Sequence, residues 1–158
     1  TRVLKGHIAV ATAKIDKIKN GNNLDKLARK SLNSINLDYR HGTGHGVGFF
    51  MNVHEGPQRI SKNNFVKLQK GMIVSNEPGF YLENKFGIRI ENLVYIDGNN
   101  KSLYLKNLTF APLENDLIEE NMLTKIEKDY ILNYHLETYS KISPFLNNNE
   151  RRWLVKLI

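Results

Sequence analysis

The sequence contains no cysteine, which excludes disulfide bonds and a thiolate zinc site. That fits a reducing compartment and points to a cytoplasmic setting. No apolar run approaches the roughly 20 residues that cross a bilayer, so no membrane segment is expected. A signal-peptide pattern is also missing, as are internal repeats and low-complexity tracts. The chain carries 23 Lys and Arg against 16 Asp and Glu, a net charge of +7. Yet no basic run exists, and the aromatics do not alternate with the basic residues as a base-stacking surface requires. The charge therefore reflects a lysine- and asparagine-rich composition, and no nucleic-acid partner is expected.

What remains is the profile of an ordinary globular protein, 41% apolar and 25% charged over 158 residues. A chain of that size buries roughly 68–70% of its unfolded surface. It opens at Thr1 directly on an amphipathic pattern, which reads as a piece of something longer.

Apolar residues at three- and four-residue steps predict a helix from Val3 to Ile18, with His7 on its surface. Asn20-Gly21-Asn22 stops it. A second helix is expected from Leu24 to Ile35, capped by Asn22 or Asn23. Strands are expected over Val47 to Val53 and Met72 to Ser75, with Gln58 to Lys70 between them as a polar surface loop. Glu77-Pro78-Gly79 ends the second strand and Tyr81 to Lys85 forms a loop tip. Ile88 to Ile96, rich in Ile, Val and Tyr, is the clearest strand. A hairpin turn at Asp97-Gly98-Asn99 leads to Leu103–Leu105 and Leu108–Phe110. Two further helices are expected, from Thr124 to Ile142 with Ile126, Tyr130, Ile131, Tyr134 and Leu136 as its apolar set, and from Asn149 to Ile158. This order suggests an α+β fold with helices on one face of a mostly antiparallel sheet.

Chemistry concentrates in Arg40–Pro57, RHGTGHGVGFFMNVHEGP, which holds three of the five histidines, His41, His45 and His54. Imidazole is the commonest side-chain metal ligand, and the interleaved glycines let backbone and ligand approach closely. Two acidic segments follow, SNEPGF at Ser75–Phe80 and GIRIEN at Gly87–Asn92. Arg89 and Glu91 share one face of a strand by the two-residue period, with Ile88 and Ile90 facing the core. Pro78 removes a ladder donor where the Glu77 carboxylate projects. A His/Glu donor set without sulfur suits zinc, manganese or cobalt, and a carboxylate-rich one leans to manganese.

HGTGHGVG, NVHEGP, SNEPGF and GIRIEN, in that order, resemble the catalytic domain of the Xaa-Pro aminopeptidases, dinuclear metallopeptidases of the pita-bread fold. The resemblance runs nearly end to end. Residues 1–112 resemble part of the pita-bread domain, incomplete at its N-terminal side, and 113–158 resemble the C-terminal helical extension of the larger forms. It implies two divalent metal ions, manganese foremost, and hydrolysis of the bond between an N-terminal residue and a following proline. Residue by residue, it implies His45, Glu77 and Glu91 as metal ligands. It implies His41 and His54 as substrate-facing, catalytic histidines, and Arg89 as the residue that holds a ligand carboxylate.

The family has five ligands, and two are aspartates on a hairpin that precedes the first helix here. Asp16, Asp25 and Asp38 lie outside that motif, so little activity is expected of this polypeptide alone. An unpaired sheet edge where that hairpin belongs makes self-association into a homodimer an expectation. The alternatives are a non-catalytic binding module of the same fold and a prolidase-type dipeptidase.

Overall fold

The structure, a computed structural model, describes residues 1–50, 52–99 and 101–158. They divide into two compact units, Arg2–Thr109 and Phe110–Ile158, the second also taking in Thr1.

In the first unit, α1 (Arg2–Ala11), α2 (Ile15–Ile18) and α3 (Gly21–Asn33) precede the strands. The expected helix from Val3 to Ile18 is thus two helices. Lys14 takes an extended conformation and bridges to Tyr104, which a continuous helix would forbid. The cap of α3 is Asn20, whose side chain accepts from the Asn23 amide at 3.1 Å, rather than Asn22 or Asn23. Leu24, Ala28 and Leu32 bury one stripe of α3, and the adjacent pair Asp25 and Arg29 is buried as well.

All strand pairs are antiparallel. β3 (Ile73–Asn76), β6 (Asn92–Asn99) and β7 (Ser102–Asn107) form a three-stranded sheet in the order β3-β6-β7. β1 (Gly44–His45) pairs with β2 (Arg59–Ile60), and a bridge from Gly46 to Val74 ties this pair to β3. β4 (Gly79–Leu82) pairs with β5 (Phe86–Arg89). Along β6, Asn92, Val94 and Ile96 are buried and alternate with less buried neighbours, the period of a half-buried strand. Val10, Ile15, Leu24, Ala28, Ile60, Leu68, Val74, Val94, Ile96 and Leu105 make the main core between helices and sheet.

Several sequence expectations are corrected here. The stretch from Gln58 to Lys70 is not simply a surface loop: it holds β2, and Ile60 and Leu68 are core residues. Tyr81 and Leu82 belong to β4, so the loop tip begins later. The strand expected over Ile88 to Ile96 is two strands, interrupted at Ile90 and Glu91. None forms over Val47 to Val53 among the described residues, where Phe50 has φ 47°; Met51 of that stretch lies outside them. His7 is not a surface residue but fully buried.

The second unit is helical. α4 (Lys125–Ile142) and α5 (Asn148–Leu157) each begin with a capping box, Thr124 with Glu127 and Asn147 with Glu150. The buried face of α4 is Ile131, Tyr134, His135 and Thr138, whereas the expected core residues Ile126 and Leu136 are exposed. The Tyr134 hydroxyl donates to the Ala111 carbonyl at 2.7 Å, and His135 Nε2 accepts from the Leu113 amide at 3.1 Å. Among the described residues, no helix is long and apolar enough to cross a membrane.

Burial of His7 has a thermodynamic consequence. Burial pushes its pKa down from 6.5 to about 4, against a smaller upward pull from the backbone of Ile90 and Asn76, and neither ring nitrogen completes a hydrogen bond. Between those two values the unfolded chain binds the proton and the folded chain does not. Stability therefore falls as pH drops through this window, by about 3 kcal/mol in full. Urea unfolding at pH 7 and pH 4.5 should show a smaller pH-dependent loss for His7→Gln than for the unaltered chain; equal losses would contradict this assignment.

Candidate metal and substrate site

β3 and β4 are separated only by Glu77 and Pro78, and β5 and β6 only by Ile90 and Glu91. The register is the same on both sides of the break: Asn76 faces Asn92 and Gly79 faces Arg89, each pair summing to 168. Continued across it, Glu77 faces Glu91 and Pro78 faces Ile90, and the Ile90 amide does donate to the Pro78 carbonyl, at 3.3 Å. Directly opposed residues of an antiparallel pair share a face, and opposed like charges destabilise a sheet. Two carboxylates placed this way call for a cation. Arg89 supplies one: its Nη1 lies 3.4 Å from Glu77 Oε2, and its hydrogen bond to Tyr81 foremost, with smaller help from the charges of Glu77 and Glu91, holds the guanidinium pKa above its ordinary value.

The histidine segment reaches the same place through β1. Gly44 and His45 pass so close to β3 that a Cβ on Gly44 would lie 1.9 Å from the Ser75 carbonyl oxygen. The Ser75 hydroxyl accepts from the His45 amide and donates to Glu77 Oε1, both at 2.9 Å. The Glu77 amide donates to the Thr43 carbonyl at 2.7 Å. His45 Nδ1 donates to the Gly46 carbonyl at 2.9 Å, which leaves Nε2 as a lone pair 3.4 Å from Glu77 Oε1. This orientation is typical of a metal-ligating imidazole. The exposed His54 ring lies against His45, centroids 3.8 Å apart.

His41 stands at the other wall. Its Nδ1 faces the Gly42 carbonyl at 2.7 Å and carries the proton, so Nε2 accepts from the Tyr81 hydroxyl at 2.9 Å. Arg89 Nε donates to the same hydroxyl oxygen at 2.8 Å. A chain of oriented hydrogen bonds and an ion pair thus joins His41, Tyr81, Arg89 and Glu77. Together His41, His45, His54, Glu77 and Arg89 line an open cavity of about 410 Å³ with Arg59 and Ser61.

Of the residues singled out in the sequence, these five come together. Glu91 is exposed and does not line the cavity. Among the described residues, no group of three or more His, Asp or Glu converges as a closed metal site requires. The donor set present fits one side of a divalent-metal site, with an imidazole and a carboxylate already aimed at each other. Ser75, Thr43 and Tyr81 join the site without a motif of their own to mark them. Tyr81 left a trace in the sequence, since Gly79 and Gly87 leave room over the sheet that its side chain occupies.

The fold is that of a metallopeptidase family. Residues 1–98 match metallopeptidase family M24 and residues 101–157 match the C-terminal region of peptidase M24. The chain belongs to this family and forms part of its pita-bread fold. It is 46% identical to a probable Xaa-Pro aminopeptidase P of Coprinopsis cinerea over 98% of its own length and 27% of that protein. It is 47% identical to aminopeptidase P2 of Arabidopsis thaliana, over 98% and 23%. The solved X-prolyl aminopeptidase of Caenorhabditis elegans, described as a cytosolic enzyme with a di-nuclear active site, superposes at a TM-score of 0.92 and 34% identity, over 99% of this chain and 27% of that one. A prolidase from Pyrococcus furiosus superposes at 0.59 and 32% identity, over 68% and 30%. The chain thus spans about a quarter of the length of the curated relatives it matches.

The contact between β1 and β3 can be probed directly. Gly44→Ala should cost about 1–3 kcal/mol through overpacking and shift the His45 imidazole NMR signals. Gly56→Ala, where nothing lies within 4 Å of the added carbon, should do neither. Equal stability of the two variants would contradict the close approach.

Proposed function

We propose that this sequence supplies the histidine and glutamate side of the active site of an Xaa-Pro aminopeptidase. The observation that carries the reading is His45 Nε2 beside the Glu77 carboxylate at 3.4 Å, with Glu91 brought opposite Glu77 when the register on either side of the break is continued across it. We assign His45, Glu77 and Glu91 as ligands of a divalent-metal pair with manganese as the foremost candidate. A metal pair held here would supply Lewis-acid polarisation of the scissile carbonyl and an activated hydroxide.

The chain's own residues do the rest. Ser75 and Arg89 hold the two oxygens of Glu77 and fix its rotamer. His45 is locked in the tautomer that offers Nε2. His54, its ring against His45, faces a bound peptide, where an imidazole can donate to the developing oxyanion; His41 faces the peptide as a pocket-lining group, since both of its nitrogens are engaged by the Gly42 carbonyl and the Tyr81 hydroxyl. His41 keeps its proton on Nδ1, and its Nε2 accepts a hydrogen bond from the Tyr81 hydroxyl.

Removal of the residue before proline, rather than cleavage of a dipeptide, is favoured by the extent of the likeness. The aminopeptidase structure matches 99% of the chain and the prolidase 68%. We place the boundary between the catalytic part and the C-terminal extension at 112/113, and propose a cytosolic setting as in the nematode enzyme.

Manganese titration of the 158-residue polypeptide, followed by the paramagnetic broadening of its histidine NMR signals, tests the ligands. His45→Ala and Glu77→Gln should each weaken binding by about tenfold or more, and Arg89→Met by about 10–100-fold. With only part of a donor set converging, hydrolysis by this polypeptide should be feeble, and what occurs should favour peptides with proline second over alanine second. No binding of manganese, zinc or cobalt would leave the non-catalytic binding module; equal hydrolysis of both peptides would sink the proline specificity.

A further inference from the structure

α3 carries a buried ion pair that the site just described does not use as a ligand. Asp25 is 1% exposed and Arg29 4%. Arg29 Nε and Nη2 form a two-pronged contact with the Asp25 carboxylate at 2.8 and 3.0 Å. The remaining donors reach away from the helix. Nη1 donates to Asp38 Oδ1 and to the Tyr39 carbonyl, and Nη2 to the His41 carbonyl, each at 2.7 Å. A guanidinium has five N–H donors in a fixed fork, and all five are used here. Its carbon also lies 3.9 Å above the Tyr39 ring centroid.

The carboxylate completes the frame. Thr43 Oγ1 donates to Asp25 Oδ1 at 2.7 Å. Because that uses the only threonine hydroxyl proton, the Tyr39 hydroxyl donates to Thr43 in turn. The backbone from 39 to 43 is therefore gripped at the carbonyls of Tyr39 and His41 and at the Tyr39 and Thr43 side chains. Two parts of the candidate site hang on this grip. His41 presents its ring to Tyr81 from the middle of it, and the Thr43 carbonyl receives the Glu77 amide.

We propose that Asp25 and Arg29 are positioning residues of the metal and substrate site, which hold His41 and Glu77 in register from a helix that contributes no ligand. This builds on the function proposed above. It differs from a purely structural role in what it requires: loss of the pair must change the state of His41 even where the fold survives. Lysine cannot replace arginine here, since a single ammonium does not reproduce a fork that meets two carboxylates and two carbonyls.

The test uses nitrogen-15 histidine NMR on the 158-residue chain. Unaltered, His41 should show one tautomer, protonated at Nδ1. In Arg29→Lys, and in Asp25→Leu/Arg29→Met, which replaces the pair with apolar groups of similar volume, its two nitrogen shifts should converge towards a tautomer mixture. His135 should stay unchanged as an internal reference, and manganese affinity should fall on the order of tenfold, as for loss of a group that orients a ligand. A folded variant of either kind with unchanged His41 shifts would overturn the proposal. Should both fail to fold, hydrogen exchange on the unaltered chain decides: a Glu77 amide as protected as the amides of α3 supports the grip, and one exchanging freely overturns it. The tautomer and exchange readouts need no bound metal, so a chain that binds no manganese fails the functional reading while these still judge the placement.

Discussion

The site depends first on an antiparallel register that survives a break. Strands β3 and β4 run on through Glu77 and Pro78, and β5 and β6 through Ile90 and Glu91, without loss of alignment. Proline at 78 has no amide to give, so the ladder opens there, yet its carbonyl still accepts from Ile90. A one-residue slip would flip every side chain of the slipped strand to the other face and part the two carboxylates. The packing of Ile88 and Ile90 against the cluster of Val3, Leu32 and Tyr39 guards against that slip, because it rewards one register only.

The second constraint is electrostatic. A buried ion pair is seldom a net source of stability, since desolvation offsets most of the attraction, while removal of one partner costs about 3–5 kcal/mol. Asp25 and Arg29 therefore make more sense as a specification than as an adhesive. Apolar residues would fill the space next to Leu24 and Ala28 as well, but they could not hold carbonyl groups of an irregular segment at set points. The segment from Tyr39 to Thr43 has no ladder partners of its own before Gly44, and the guanidinium stands in for them.

Much of this was legible in the sequence, and the misses have physical causes. The histidine and glutamate motifs carried family and fold because side-chain chemistry and order are written directly in residues 40–57, 75–80 and 87–92. Helix α3 and strand β6 showed as periodic apolar residues. The break at Lys14 did not, because it answers a bridge to Tyr104, far away in sequence. Nor did the division of Ile88 to Ile96, where the apolar run conceals an interruption opposite Pro78, which has no amide to give. The burial of His7 leaves no sign in the sequence, because a lone histidine on an amphipathic helix reads the same whether its face meets water or a sheet. Ser75, Thr43 and Tyr81 act through hydrogen bonds to groups 2 to 40 residues distant, and common residue types give no local sign of such partners.

The capping boxes of the C-terminal helices bear on how the chain assembles. Thr124 with Glu127 and Asn147 with Glu150 close over three residues, and Arg151 reaches the Ser143 carbonyl only eight residues back. The first unit relies on distant meetings, such as Asn76 donating to the His7 carbonyl across 69 residues. Chains dominated by local contacts fold faster than those that must first close long loops. The helical C-terminal unit is thus suited to take shape early, whereas the candidate site, stitched from three separated segments, must close long loops first.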